Sequence, residues 1–280
     1  MAVTEQRYIG RLAPSPTGLL HLGHARTFWI AAERARAANG VLWLRDEDLD
    51  PQRSRQEFAA AMREDLHWLG IFWDAEIRQS ERVAFYRRAM EQLVSMGLAY
   101  PCYCSRKDLQ QAVQAPHEDD DEPLYSGHCR PEVMVPGATL QDGTNYRFRV
   151  PDGETIRFID ANAGAQSFRA GCESADFGDF VVWRKDSLPS YQLACVVDDE
   201  AMRISEVVRG RDLLRSTARQ ILLQRALGLR TPTYLHCDLI RDDNGVRLAK
   251  RHDALSLRSL RASGYMPQQV IAMFNAESKS

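Results

Sequence analysis

The order of apolar runs and breakers in the first third of the chain restricts its fold more than any other feature. Residues 7–13 read as a short strand, which Pro14-Ser15-Pro16-Thr17-Gly18 interrupts sharply. Residues 21–38 turn helical, rich in Ala, Arg and Leu, and stop at Asn39-Gly40. Val41-Leu42-Trp43-Leu44-Arg45 is a compact apolar run that suits a second buried strand. Residues 54–69 form another expected helix, with Ser54 as N-cap and Glu57 three residues on, the spacing of a capping box. Residues 71–73 suit a short strand and residues 81–96 a third helix. Strand, helix, strand, helix predicts parallel crossovers and an α/β sheet. Ligands of such sheets sit beyond the carboxyl ends of the strands. The loop over residues 14–20 occupies that position, and so does Asp46-Glu47-Asp48.

The pattern changes at Tyr100. Residues 100–170 hold three close cysteines (Cys102, Cys104 and Cys129), an acidic run over 118–122, and strand-like pieces at 146–150 and 155–160. We read this stretch as an insertion that divides the α/β domain into residues 1–99 and 171–280. The acidic run between Pro116 and Pro123 reads as a mobile loop. Residues 180–184 and 191–197 look like strands of the resumed core, and residues 213–227 like a helix. Asp242-Asp243-Asn244-Gly245 marks a tight turn. The chain shows no internal repeat.

Composition narrows the function classes. No apolar stretch approaches the roughly 20 residues of a membrane span. The N-terminus lacks a basic start followed by an apolar run, so the expected compartment is the cytoplasm. A net charge of −2 argues against non-specific coating of nucleic acid. A local basic stretch exists nevertheless: Arg203, Arg209, Arg211, Arg215, Arg219, Arg225 and Arg230 are opposed only by Glu206 and Asp212. It reads either as a solvated helix face or as a phosphate-contacting surface. Cysteines in such a chain are reduced thiols or metal ligands. Cys172, Cys195 and Cys237 are scattered and read as small buried residues. Nothing resembles a long apolar assembly face, so a monomer is expected.

The start of the first helix is a natural seat for phosphate, because its N–H groups and dipole favour an anion. Gly23 lets a ligand approach the backbone closely. His21 and His24 are three apart and share a helix face. Two imidazoles there can stabilise charge on an attacked phosphorus. A lone His-x-x-His is equally compatible with two surface histidines.

The wider context is more specific. Arg11-Leu12-Ala13-Pro14-Ser15-Pro16-Thr17-Gly18 followed by His21-Leu22-Gly23-His24 resembles the first signature of class I aminoacyl-tRNA synthetases, and more narrowly their glutamyl branch. Arg247-Leu248-Ala249-Lys250-Arg251 is similar to the second signature, Lys-Met-Ser-Lys-Ser, with Arg for the first Lys and Ala for the central Ser. The resemblance implies a Rossmann-type parallel sheet that binds ATP through His21, Gly23, His24 and Lys250, the lysine holding departing pyrophosphate charge. Free glutamate needs cationic forks for two carboxylates and an anion for its ammonium, and arginine suits carboxylate. By resemblance, Arg11, Leu12, Ala13, Pro14 and Ser15 form the glutamate-binding segment. Glu47 pairs with the α-amino group, Tyr191 closes the pocket, and Arg209 is the distal arginine.

Cys102, Cys104 and Cys129 can share one metal, and structural zinc takes four ligands, mostly Cys and His. His117, Tyr125 and His128 lie within range, and from residue chemistry alone His128 is the first choice. Tyr125-Ser126-Gly127-His128-Cys129-Arg130 resembles a segment of short glutamyl-synthetase relatives in which the tyrosine is the fourth ligand. That implies one structural Zn²⁺ on Cys102, Cys104, Tyr125 and Cys129, in an insertion facing the tRNA acceptor.

Residues 252–280 are too few for the anticodon-binding domain that a complete glutamyl-tRNA synthetase carries. With the cysteine cluster and Arg209-Gly210-Arg211-Asp212-Leu213-Leu214, this is similar to the glutamyl-Q tRNA(Asp) synthetase family. The similarity implies activation of glutamate by ATP, with Mg²⁺ and without tRNA, then transfer to queuosine in the anticodon of tRNA(Asp). The alternatives are charging of tRNA(Glu) at its 3′ end, a catalytically silent tRNA-binding module, and a small-molecule nucleotidylyltransferase.

Overall fold

Parallel pairing organises the N-terminal part of the chain. A computed structural model describes residues 7–104, 124–240 and 256–276. In chain order the first elements are β1 (Ile9–Leu12), α1 (Leu22–Ala37), β2 (Val41–Asp46), α2 (Gln56–Trp68), β3 (Ala75–Arg78), α3 (Val83–Ser95) and β4 (Ala99–Cys102). There follow β5 (Asn145–Phe148), β6 (Thr155–Asp160), β7 (Gly164–Arg169), β8 (Phe180–Trp183), α4 (Tyr191–Ala201) and β9 (Glu206–Gly210). The last are α5 (Leu214–Leu227), β10 (Thr233–Cys237), α6 (Leu257–Ala262) and α7 (Pro267–Ala276). They fall into two units. One comprises Met1–Ser80, Ile204–Arg211 and Tyr234–Ser280, and the other Glu81–Arg203 and Asp212–Thr233. These cuts differ from the sequence-based breaks at 99/100 and 170/171.

In the first unit, β2 lies between β1 and β3, and both pairings are parallel, with Leu12 opposite Leu44 and Asp46 opposite Arg78. The expected α/β class with a parallel sheet is therefore present. α1 packs on it through Ala25, Phe28, Ala31, Ala32 and Ala35, an i, i+3, i+4 stripe. Its small side chains allow close approach to Leu12, Leu42 and Leu44. The helix ends where Asn39 takes φ 47, and a Cβ on Gly40 would stand 2.6 Å from the Tyr8 carbonyl. That carbonyl accepts from the Val41 N–H at 2.9 Å, so glycine at 40 lets β2 start beside β1. β9 begins beside β1 as well, through Ser205 N–H to Ile9 O at 2.8 Å, and β10 is the hydrogen-bonded neighbour of β9.

In the second unit, β4, β5 and β8 make an antiparallel sheet, and β6 pairs antiparallel with β7. Asp198 on α4 accepts from Arg82 Nε at 2.7 Å and from the Tyr86 hydroxyl at 2.8 Å, which fixes α4 to α3.

Several local expectations are corrected. The second helix starts at Gln56 with Arg55 as N-cap and no side-chain cap; the Ser54 N–H instead closes a turn onto Asp50 O at 2.8 Å. Residues 71–73 are not a strand. Ile71 is core and Trp73 stacks on His67, while pairing with β2 falls to the next residues. Residues 191–197 are helical: the Ser190 hydroxyl caps the Leu193 N–H, and a helix buried on most faces has no amphipathic period to read. The arginines between 203 and 230 form no single face. Arg209 and Arg219 are buried, whereas Arg211, Arg225 and Arg230 pair with Asp238, Glu154 and Glu200. Cys195 and Cys237 are buried, but Cys172 is only half-buried. The acidic run over 118–122 lies outside the described residues. Among those described, no helix is long and apolar enough to cross a membrane.

Candidate functional site

The loop between β1 and α1 leaves the sheet at the carboxyl end of β1 and re-enters at His21, whose extended backbone makes it the N-cap of α1. This helix has sixteen residues, no side-chain cap and no acidic residue in its first turn. Its dipole therefore meets no protein anion there. A Cβ built on Gly23 meets nothing within 4 Å, so packing does not demand a glycine at this position. The missing side chain leaves open space over the helix start. The His21 and His24 rings stand 6.1 Å apart on that side, with His24 exposed and His21 half-buried.

The same end of the sheet carries the acidic turn after β2. The Glu47 N–H donates to Pro14 O at 3.0 Å, so the two loops named from the sequence meet. The Glu47 carboxylate accepts from Arg45 Nη2 at 2.9 Å, and Arg45 is wholly buried. Asp46 is held by Arg63 at 3.0 Å; burial pushes its carboxyl above the usual carboxylate range, and Arg63 opposes that rise. Arg11 is buried and donates from Nη1 to Val208 O at 2.8 Å, one residue before Arg209. Arg209 is buried on β9, so two guanidiniums lie on neighbouring strands. Leu12 is core, Ala13 half-buried, Pro14 buried and Ser15 exposed. Tyr191 is the half-buried first residue of α4 and belongs to the second unit.

Lys250 and its signature stretch, 247–251, lie outside the described residues. Their described flanks are tied to the start of α1. Ser256 bridges His21, the Leu257 N–H donates to Leu20 O at 2.8 Å, and Arg26 of α1 donates to Asp238 O at 2.8 Å.

In the second unit the sulfurs of Cys102, Cys104 and Cys129 all lie within 4.8 Å of one another. The Cys104–Cys129 separation is 3.6 Å, close to the roughly 3.8 Å between thiolates on one tetrahedral zinc. The Tyr125 hydroxyl joins them, 3.6 Å from Cys104 Sγ and 3.9 Å from Cys102 Sγ. His128 is exposed and stands outside the sulfur group, so the residue-chemistry preference for it is not supported. His117 lies outside the described residues. Arg147 is buried and donates to Cys102 Sγ at 3.3 Å, with its guanidinium carbon 3.7 Å from the Tyr125 ring centroid. A buried cation with a sulfur as partner favours thiolate there. Burial pushes the Cys104 thiol up to about 11. Burial also acts on Cys129, but the Tyr103 N–H and the Tyr125 hydroxyl outweigh it and hold that thiol below its ordinary value. The donor set and its spacing fit a tetrahedral ion such as Zn²⁺.

Sequence reasoning missed two residues that touch this chemistry. Arg45 lay within the quoted motif but carried no role. His236, wholly buried on β10, accepts from Arg209 Nε at 3.2 Å. Its only sequence signal is a histidine inside a short apolar run, too weak to single out.

Comparison with known proteins agrees with this geometry. Residues 9–276 match the family described as tRNA synthetases class I (E and Q), catalytic domain. The chain is 45% identical over 268 residues to the glutamyl-Q tRNA(Asp) synthetase of Nitratidesulfovibrio vulgaris, covering 91% of this chain and 81% of that protein. It is 41% identical over 270 residues to the glutamate–tRNA ligase of Aquifex aeolicus, covering 95% of this chain and 55% of that one. A crystal structure of the glutamate tRNA ligase from Elizabethkingia meningosepticum in complex with its amino acid superposes with a TM-score of 0.70 at 28% identity. That match covers 93% of this chain and 54% of the ligase, so the chain spans about half the length of these two ligases.

Proposed function

Because the chain belongs to the family of class I (E and Q) tRNA synthetase catalytic domains, we propose that it activates glutamate with ATP and transfers the glutamyl group to queuosine in the anticodon of tRNA(Asp). The observation that carries the first step is the open space over Gly23 at an uncapped helix start, flanked by His21 and His24. A glutamate carboxylate oxygen attacks the α-phosphorus of ATP, the bond to the β-phosphate breaks, and pyrophosphate leaves with the divalent cation that accompanied ATP. Charge builds on the phosphorus oxygens, and donors fixed before the reaction stabilise it most. His21, His24 and the first-turn N–H groups stand in that role, with Lys250 on the leaving pyrophosphate. Arg11 and Arg209 supply cationic forks for the glutamate carboxylates, and Glu47 an anion for its ammonium.

In the second step a hydroxyl of the queuosine cyclopentene diol attacks the glutamyl carbonyl carbon, an ester forms, and AMP leaves. The relatives that carry the glutamyl-Q name support this acceptor. Cys102, Cys104, Cys129 and Tyr125 would hold Zn²⁺, which supplies structure and no reacting group. A second reading, esterification of the 3′ end of tRNA(Glu), is favoured by the similarity to glutamate–tRNA ligases. Pyrophosphate exchange with glutamate in the absence of tRNA tests the first step. Labelled glutamate offered to tRNA(Asp) with and without queuosine, and to tRNA(Glu), tests the second. Label on tRNA(Glu) alone would refute the queuosine acceptor, and absence of exchange would refute activation.

A further inference from the structure

The contact between Arg209 and His236 has a definite chemical sense. A guanidinium is always protonated, so its Nε–H is a donor, and the Nε2 of His236 at 3.2 Å must present a lone pair. His236 is therefore neutral, with its proton on Nδ1. Neither residue has water nearby to take the other's place, since His236 is wholly buried and Arg209 nearly so. The two sit on neighbouring strands, β9 and β10. Tyr234, two residues before His236, stacks on the imidazole at 6.2 Å and places its ring 5.7 Å from the Arg209 guanidinium carbon. The arginine is thus held at its Nε edge and over one face.

A guanidinium offers carboxylate two forks, one through Nε and Nη and one through the paired Nη groups. An acceptor on Nε removes the first. We infer that His236 is a positioning residue for amino-acid recognition: it holds the Nε of Arg209 so that only the terminal Nη pair is presented to a substrate carboxylate. The inference rests on the proposed role of Arg209 in binding glutamate. Without the imidazole, Nε–H would compete for the carboxylate, and the side chain would rotate to a fork of different position and direction. Misplacement of a binding group by about 1 Å costs on the order of 100-fold.

The test uses three variants and pyrophosphate exchange. His236→Leu removes the acceptor and is expected to raise KM for glutamate by roughly 10- to 100-fold, with KM for ATP within about twofold of wild type. His236→Gln places a carbonyl oxygen near the position of Nε2 and is expected to restore most of the affinity. His236→Asn places its oxygen near Nδ1 instead and is expected not to. A purely structural histidine would lower the melting temperature in all three without separating the two KM values. An unchanged KM for glutamate in folded His236→Leu overturns the inference, as does equal KM in the Gln and Asn variants. The second comparison decides the matter if the Leu variant does not fold. A wild-type protein without glutamate-dependent exchange overturns the functional reading and this inference together. An active wild type with indifferent His236 variants overturns only the latter.

Discussion

Replacing Gly23 with Ala separates binding from folding at the helix start. A new Cβ would meet no protein atom within 4 Å, and the residue lies in helical conformation, so the substitution strains nothing. Gly→Ala at a compatible position stabilises by about 0.4–1 kcal/mol, through a smaller loss of chain entropy. For a chain of this size that is a rise in Tm of about 1–3 °C. If a phosphate occupies the open space, the same methyl group takes its place. Loss of even one charge-assisted hydrogen bond is worth about 1.5–3 kcal/mol, which is on the order of 10- to 100-fold in affinity. The variant should therefore melt slightly higher while its KM for ATP in pyrophosphate exchange rises by at least about tenfold. KM for glutamate should move much less, because Arg11, Glu47 and Arg209 lie on the strands and the turn after β2. An unchanged KM for ATP would refute the placement of phosphate over Gly23. A fall in Tm would refute the claim that the space is open.

Three further outcomes are expected. Arg209→Lys replaces a fork with a point charge, and KM for glutamate should rise by about tenfold or more, with little change in Tm; kinetics and melting curves check both. Zinc content measured after purification should fall to near zero in Cys104→Ala, fall partly in Tyr125→Phe, and stay at the wild-type level in His128→Ala, with strong chelators destabilising the wild type. Asp65 on α2 is wholly buried with neither carboxylate oxygen hydrogen-bonded, and burial pushes its carboxyl up against the lowering effect of Arg258 and Arg261. A raised carboxyl in the folded state means the ionised form costs stability at higher pH, and the cost is relieved as pH falls through the folded-state value. Asp65→Asn should therefore stabilise more at about pH 8 than at about pH 4, and an equal gain at both would contradict the burial argument.

How far the fold could be read from sequence depended on whether the signal was local. Strand, break, helix and strand over residues 7–45 are each marked by neighbours, and β1, α1 and β2 stand within two or three residues of the expected bounds. The Glu47 turn followed from the same reasoning. α4 failed because its buried face runs all the way round, so a stretch containing Leu193, Ala194, Cys195 and Val196 has no period to separate helix from strand. β9 was hidden by Arg209, since a charged residue in a short stretch reads as surface until a neighbouring strand is seen to cover it. Arg209 and His236 are 27 residues apart in sequence, and only the pairing of β9 with β10 makes them partners. The place of Tyr125 among the sulfurs came from family resemblance, because residue chemistry favours His128.

The ties at Ser256 and Asp238 have a consequence for the degenerate second signature. Lys250 stands six residues before Ser256, and a chain cannot extend beyond about 3.6 Å per residue. However the intervening backbone is arranged, its α-carbon stays within about 22 Å of the Ser256 α-carbon, and Ser256 is bridged to His21. A leash of that length holds its charge near the helix start at an effective concentration on the order of mM or above. Held so, one ammonium can meet departing pyrophosphate as an intramolecular event on every turnover. The stretch can then exchange the first lysine for arginine and the central serine for alanine, provided the length of the leash and the single lysine are kept.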